Sequence, residues 1–281
     1  MAPAETLNIA HLRSWIGHED IATEHVGAEI VRRFHATFEE PTDEPRRGDT
    51  APQLLHFCLT QPAAQMSALG EDGHPARGGF LPPIPLPRRM WAGSTLTFHS
   101  DLKIGETVRR VSHIADVVLK EGRTGPLCLV TVQHDIDADG RAILSESQTI
   151  VYLGLGDAAK TAAAPAPEGR HRQEVAPSTP LLFRYSAITF NGHRIHYDRA
   201  YATQAEGYPG LVVHGPLQAT LLLRYAAELR VAPLARFTFR SLSPLFDTEP
   251  FLMHAVEEGD RLKLWTACTG GPIAMMAEAG W

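Results

Sequence analysis

Residues 216–230 read Pro-Leu-Gln-Ala-Thr-Leu-Leu-Leu-Arg-Tyr-Ala-Ala-Glu-Leu-Arg. Leu217, Leu221, Tyr225 and Leu229 recur every fourth residue, with Thr220, Arg224 and Glu228 as a narrow polar stripe beside them, which is helical spacing. Pro216 suits the first turn, because the amide hydrogen it lacks would find no partner there. The helix is apolar around most of its circumference, so it must be wrapped on several sides. A curved antiparallel sheet around one long helix does that, and the predicted class is α+β.

Strands follow the helix as the wrapping requires. Phe237-Thr238-Phe239, Pro250-Phe251-Leu252, Leu262-Lys263-Leu264-Trp265 and Ala274 to Glu278 are separated by Gly259-Asp260 and Gly270-Gly271. An earlier stretch repeats the plan. Ser94 to Phe98, Thr107-Val108, Leu127 to Val132 and Glu146 to Tyr152 are spaced by Gly105 and Gly140. This coarse match predicts a duplicated unit.

Between the two tails, Asp157 to Pro180 loses periodicity to Ala, Pro and charge, which reads as a linker. The expected organisation is an N-terminal unit over 1–156, a linker over 157–180 and a C-terminal unit over 181–281. In the first unit Ala28 to Phe38 has helical spacing, and Leu54 to Leu59 is ambiguous between helix and strand. Gly70 to Pro87 is too rich in Gly and Pro for a sheet ladder and is expected to lie over a ligand site.

The bulk numbers exclude several classes. At 281 residues, 44% hydrophobic and 21% charged, the chain has a globular composition. Its net charge of -6 is spread along the chain, which argues against nucleic acid as a partner. Cys58, Cys128 and Cys268 are odd in number and set among apolar residues, as reduced core thiols are. Met1 to Trp15 shows no basic leader and no apolar core, and no stretch has the length of a membrane span, so a cytoplasmic location is expected. Gly154-Leu155-Gly156 lacks the third glycine and helix of a dinucleotide loop.

The chemistry concentrates in residues 185–198, Tyr-Ser-Ala-Ile-Thr-Phe-Asn-Gly-His-Arg-Ile-His-Tyr-Asp, and in Gly210-Leu211-Val212-Val213-His214-Gly215-Pro216. This pair of segments resembles the MaoC-like hydratases, whose signature is an Asp-x-Asn-Pro-x-His loop ahead of a His-Gly that opens the helix. The variant Phe-Asn-x-His-x-Ile-His-Tyr-Asp, with Arg88-Arg89-Met90-Trp91-Ala92-Gly93, is similar to the branch holding mitochondrial-type hydroxyacyl-thioester dehydratases and the mesaconyl-C4-CoA and itaconyl-CoA hydratases. The resemblance spans both halves and implies a tandem, or double, hot-dog fold: antiparallel sheets wrapped around central helices, with a degenerate N-terminal unit walling the acyl pocket.

Position by position, the resemblance puts His196 on the catalytic histidine, Asn191 where the signature has aspartate, His193 and Arg194 where it has Asn and Pro, and His214-Gly215 at the helix start. The residue types fit hydration of an enoyl thioester, which needs a proton acceptor for water, a proton donor for the α-carbon and donors for the enolate oxygen. An imidazole such as His196 serves both proton roles near neutrality, and Asn191 positions water but is no base. The Gly215 amide, at the exposed start of a helix, faces the developing oxyanion. His214 reads equally as a packing group. His193 and His196 have the spacing of a metal pair, but no third ligand at a recognisable spacing accompanies them, so no metal and no cofactor are expected beyond the coenzyme A of the substrate.

Arg88, Arg89, Arg236 and Arg240 are candidates for the coenzyme phosphates, and Arg184 or Arg194 for the second carboxylate of a dicarboxylic acyl group. The expected reaction is hydration of a mesaconyl- or itaconyl-type acyl-CoA to citramalyl-CoA. The rivals are a 3-hydroxyacyl-thioester dehydratase with a longer apolar tunnel, a thioesterase needing a carboxylate that Asn191 does not supply, and a non-catalytic binder. A homodimer is compatible with the fold.

Overall fold

The computed structural model describes residues 7–40, 43–122, 125–154 and 164–281. In chain order these form α1 (Ile9–Arg13), β1 (Glu19–His25), α2 (Ala28–Thr37), β2 (Arg88–Phe98), β3 (Thr107–Gly122), β4 (Gly125–Ala138), β5 (Arg141–Leu153), β6 (His171–Val175), α3 (Thr179–Ile188), α4 (Gly215–Arg230), β7 (Arg236–Ser241), β8 (Phe251–Glu258), β9 (Arg261–Ala267) and β10 (Met275–Gly280). The strands join in one sheet of order β1-β3-β4-β5-β2-β7-β10-β9-β8-β6, with antiparallel pairs throughout.

Each half therefore contributes five adjacent strands, and β2 meets β7 at the seam. The seam needs Gly93: a Cβ there would lie 2.3 Å from the Phe239 carbonyl oxygen, and β2 shifts register against β5 between Trp91 and Gly93. The strands predicted from both tails form, as do the helices over 28–38 and 216–230. The ambiguous stretch 54–59 is a 3-10 turn, Leu55–Cys58.

Four readings need correction. The stretch taken as linker is not featureless, since it carries β6, paired with β8, and the start of α3; its residues 157–163 lie outside the described residues, as do Met1 to Thr6 and Leu155-Gly156. On α4 the buried surface is wider than the fourfold spacing picked out, and only Leu217 and Tyr225 of that set are buried. Gln218, Ala219, Thr220, Leu222, Leu223 and Ala226 are buried, whereas Leu221 and Leu229 are only partly so. Thr220 leaves the polar stripe because its hydroxyl donates to the Pro216 carbonyl at 2.8 Å, which satisfies it in the core.

The fourth correction concerns central helices in the plural. α4 packs on β2, β7, β9 and β10, but in the first half α2 packs sideways against α3 and the Leu55–Cys58 turn. The concave face of the N-terminal sheet is left to a cavity. Among the described residues no helix is long and apolar enough to cross a membrane.

Candidate active site

The site is built where α3 ends and α4 begins. Ser178 caps α3 by accepting the Leu181 amide, and Pro180 occupies its first turn. The helix stops at Phe190, whose φ of 49° turns the chain. Asn191 then holds the loop, its Oδ1 accepting the His193 amide at 3.0 Å in an Asx turn. With Oδ1 engaged, the Asn191 side-chain amine remains as a donor. A short 3-10 turn, Arg194–His196, follows, braced by Arg194 donating to Asp198 at 2.8 and 3.0 Å.

His196 is 7% exposed, and its Nδ1 lies 2.7 Å from the Val212 carbonyl oxygen. A carbonyl only accepts, so Nδ1 carries the hydrogen and Nε2 holds the lone pair. Among the described residues Nε2 has no hydrogen-bond partner. Burial, with His193 nearby, pushes the His196 imidazolium down to about 3, the Val212 bond opposing, so the ring is a neutral proton acceptor at ordinary pH.

His214 is fully buried beneath it, the two rings stacked at 3.6 Å, and its Nε2 pairs with the Ser186 hydroxyl at 2.8 Å. None of His193, His196, His214 and Gly215 is among the residues that line the adjoining cavity, and His214 is held between the His196 ring and the Ser186 hydroxyl. Gly215 opens α4, where the first amides lack intrahelical partners. A Cβ on it would meet only Ser241 Oγ at 3.4 Å, so the protein itself leaves room there.

A cavity of about 1180 Å³ opens against this loop. Ser186, Thr189, Asn191, Gly192 and Pro216 form one wall, Trp91 and Phe57 another, and the inward face of the N-terminal sheet its floor. That floor is polar. Glu146 is buried, accepting from the Ser94 hydroxyl at 2.5 Å and meeting His56 Nε2 at 3.2 Å. Burial works to raise its carboxyl, but the His56 and Ser94 bonds hold it below the usual range. Ser112, His134, Gln148 and Arg110 continue the row, with Ser112 bonded to His134 and His134 to Gln148. The sequence reading missed these groups. Their signal was legible, since Arg110, Ser112, His134, Glu146 and Gln148 hold inward positions where alternation calls for apolar residues.

The segment Gly70 to Ala76 closes the cavity from the N-terminal half, as expected for a Gly- and Pro-rich stretch near a ligand. It docks on the catalytic loop. Arg194 donates its backbone amide to the Asp72 carbonyl at 2.9 Å and its guanidinium to the Glu71 carbonyl at 3.1 Å. Gly73, at φ +85°, sits so close to Gly192 that a Cβ would fall 2.0 Å from its carbonyl oxygen. The strap also corrects the expectation that His193 has no companions. Asp72, His74 and His193 bring potential ligand atoms within 4.8 Å of one another. His74 and His193 pack ring against ring at 4.1 Å, and the Asp72 carboxylate is hydrogen-bonded to His74 Nδ1 at 3.0 Å, so the three side chains are also joined directly to one another. His193 in turn meets His196 edge to face at 5.3 Å. Burial first, then His74 and Arg89, push the His193 imidazolium down to about 3.

The predicted arginines divide. Arg89 lines the cavity, and among the described residues no carboxylate pairs with it. Arg194 reaches the wall, but Asp198 and the Glu71 carbonyl occupy it and Tyr201 stacks under it at 4.1 Å. Arg88 lies beside Glu206 and over Tyr208. Arg184 is exposed and donates to the Ala36 carbonyl, away from the cavity. Arg236 and Arg240 point from the outer face of β7, opposite the buried Phe237 and Phe239, so strand alternation removes them from the site.

Comparison with known proteins gives the family and the fold. Residues 53–247 match the family model described as hydroxyacyl-thioester dehydratase type 2. The chain is 42% identical over 279 residues to the mesaconyl-C(4)-CoA hydratase of Chloroflexus aurantiacus, covering 96% of this chain and 98% of that one. It is 29% identical over 242 residues to the mitochondrial hydroxyacyl-thioester dehydratase type 2 of Schizosaccharomyces pombe, covering 75% and 78%. Among solved structures, HtdX of Mycobacterium tuberculosis superposes with a TM-score of 0.67 at 17% identity, over 93% of this chain and 99% of that one. A second protein of that organism, described as having a double hotdog fold, gives 0.53 at 12% identity, over 94% and 96%. At such identities the structural likenesses speak for the fold, which is the double hot-dog.

Proposed function

The chain belongs to the hydroxyacyl-thioester dehydratase type 2 family of hot-dog hydro-lyases, and we propose that this member hydrates a short branched dicarboxylic enoyl-CoA of the mesaconyl or itaconyl kind to citramalyl-CoA. The observation that carries the acyl class is Arg89. A cation that lines the cavity beside the catalytic loop, with no carboxylate partner among the described residues, suits an acyl group bearing its own carboxylate.

His196 Nε2 accepts a proton from water while the Asn191 amine holds the water oxygen. The oxygen bonds to the β-carbon, and the electron pair of the double bond moves to the thioester oxygen, where the Gly215 amide at the positive end of α4 receives it; the α-carbon then takes up a proton as the carbonyl re-forms, and His196 gives its own proton back to solvent. No protein group changes oxidation state, so coenzyme A enters only as part of the substrate.

The test follows loss of the conjugated-thioester absorbance of crotonyl- and mesaconyl-CoA, and citramalyl-CoA formation from itaconyl-CoA by mass spectrometry. Wild type and His196→Ala are compared side by side. Dicarboxylic turnover that falls about 10²- to 10⁴-fold in the variant is expected for loss of a proton-transfer group. Equal rates in the two proteins would refute the reading.

A further inference from the structure

The loop that carries His196 offers an amide, Asn191, where the general MaoC-like signature has a carboxylate, yet a carboxylate-backed imidazole reaches the same loop from the other half of the chain. Asp72 binds His74 twice: Oδ1 accepts its backbone amide and Oδ2 faces its Nδ1, both at 3.0 Å. Burial opposes ionisation of Asp72, but the bonds from His74 hold its carboxyl well below the ordinary range, so it stays an acceptor. Nδ1 of His74 therefore carries the hydrogen, and Nε2 is the nitrogen left for chemistry. Unlike His196, His74 is part of the cavity lining itself. Its place is fixed by the strap, which the Gly73–Gly192 contact and the two Arg194 bonds lock to the catalytic loop.

We propose that Asp72 and His74 form a second acid–base unit of this site, with His74 handling the proton at the α-carbon while His196 handles the proton of the water. The proposal rests on the hydratase reading above. A neutral imidazole oriented by a buried or half-buried carboxylate, with its other nitrogen turned to the reacting space, is the arrangement by which enzymes stabilise a transient imidazolium. Asp72 supplies the counter-charge here. Burial, with the cations of Arg89 and Arg77, pushes the His74 imidazolium below the ordinary range, and the bond and charge of Asp72 oppose that shift.

The proton count closes. In hydration, one proton passes from water to His196 Nε2 as the oxygen bonds to the β-carbon and the double-bond pair moves to the thioester oxygen. His74, neutral at rest, first takes a proton from solvent, and the enolate then takes that proton at the α-carbon, re-forming the carbonyl and returning His74 to its neutral form. His196 returns its proton to solvent, so the net change is addition of one water. In dehydration neutral His74 removes the α-proton, and the hydroxyl leaves as water with a proton from His196.

The experiment isolates the α-carbon. Methylsuccinyl-CoA, which has neither double bond nor hydroxyl, is incubated in deuterium oxide with the full chain, and deuterium uptake next to the thioester carbonyl is read by mass spectrometry. Wild type should exchange, whereas His74→Gln and Asp72→Asn should lose about 10²-fold or more. Asp72→Asn keeps the shape of the strap and the bond to the His74 amide, so its loss reports charge rather than misfolding. Wild-type exchange in His74→Gln, or exchange lost in His196→Ala and kept in His74→Gln, overturns the assignment. So does exchange by wild type that a chelator abolishes and zinc restores, since the three side chains would then serve a metal. A wild type that exchanges in this pattern but hydrates nothing would remove the hydratase reading and leave the dyad standing.

Discussion

Gly73→Ala tests whether the strap and the catalytic loop work as one unit. Two penalties meet at this position. Gly73 has a φ of +85°, a region that costs an L-residue roughly 1–2 kcal/mol. Its Cβ would also lie 2.0 Å from the Gly192 carbonyl oxygen and 3.0 Å from the carbonyl carbon. The blocking atoms are backbone, so no rotamer change relieves them, and restoring an ordinary contact requires the two segments to part by about 1 Å. Gly192 is one residue from His193 and adjoins Asn191, so the displacement falls on the groups that hold the water. A misplacement of about that size costs on the order of 10²-fold in rate. The assay is kcat/KM on mesaconyl-CoA beside thermal unfolding of the same preparations. The strap lies outside the main apolar core, so activity should fall about 10²-fold while Tm moves only a few degrees, in keeping with 1–2 kcal/mol in a chain of this size. Gly73→Ala with wild-type kcat/KM would refute the reasoning, since the loop would then be indifferent to the strap.

Gly215→Ala should leave Tm near wild type, because its Cβ finds 3.4 Å of clearance, yet lower kcat by about 10²- to 10³-fold by placing a methyl where the thioester oxygen approaches; steady-state kinetics with calorimetry separates the two effects. Arg89→Gln should lower kcat/KM for mesaconyl-CoA far more than for crotonyl-CoA, and parallel losses on both substrates would remove Arg89 from acyl selection. Stability should fall on acidification from about pH 6.5. His196 and His214 are neutral in the fold with pKa values depressed by burial, so the unfolded chain binds more protons below the ordinary histidine pKa; stability is full above pH 6.5, and below it each ring removes about 1.4 kcal/mol per pH unit until its folded-state pKa is reached. Urea unfolding between pH 7 and 5 reads this slope, and a flat profile would contradict the buried neutral pair. Glu146→Gln should weaken the further loss below about pH 4.5, where a carboxyl with a depressed folded-state pKa becomes protonated and its stabilisation disappears.

The long helix, the strands of both tails and the His196 loop were legible in the sequence, because each is written in neighbouring residues: fourfold apolar spacing, alternation between turn glycines, a dense polar motif beside a helix start. Which residues of α4 face inward was less so. Thr220 looked polar and is buried, since a hydroxyl that bonds back to its own helix needs no water. The linker hid β6, whose His171 to Val175 is too short and too polar to announce a strand until β8 pairs with it.

The sequence by itself located the candidate chemistry, since the imidazole, the amide and the helix-opening glycine lie within 25 positions of one another and their local geometry follows from turns and caps. Only the tertiary structure decided what surrounds that chemistry. Asp72 and His74 stand more than a hundred residues ahead of His196 and meet it because Gly73 lets two backbones touch. Arg89 reaches the cavity while Arg236 and Arg240 do not, because strand alternation and sheet curvature choose the face. Contacts of that kind depend on how distant segments pack, and no local pattern of residues encodes them.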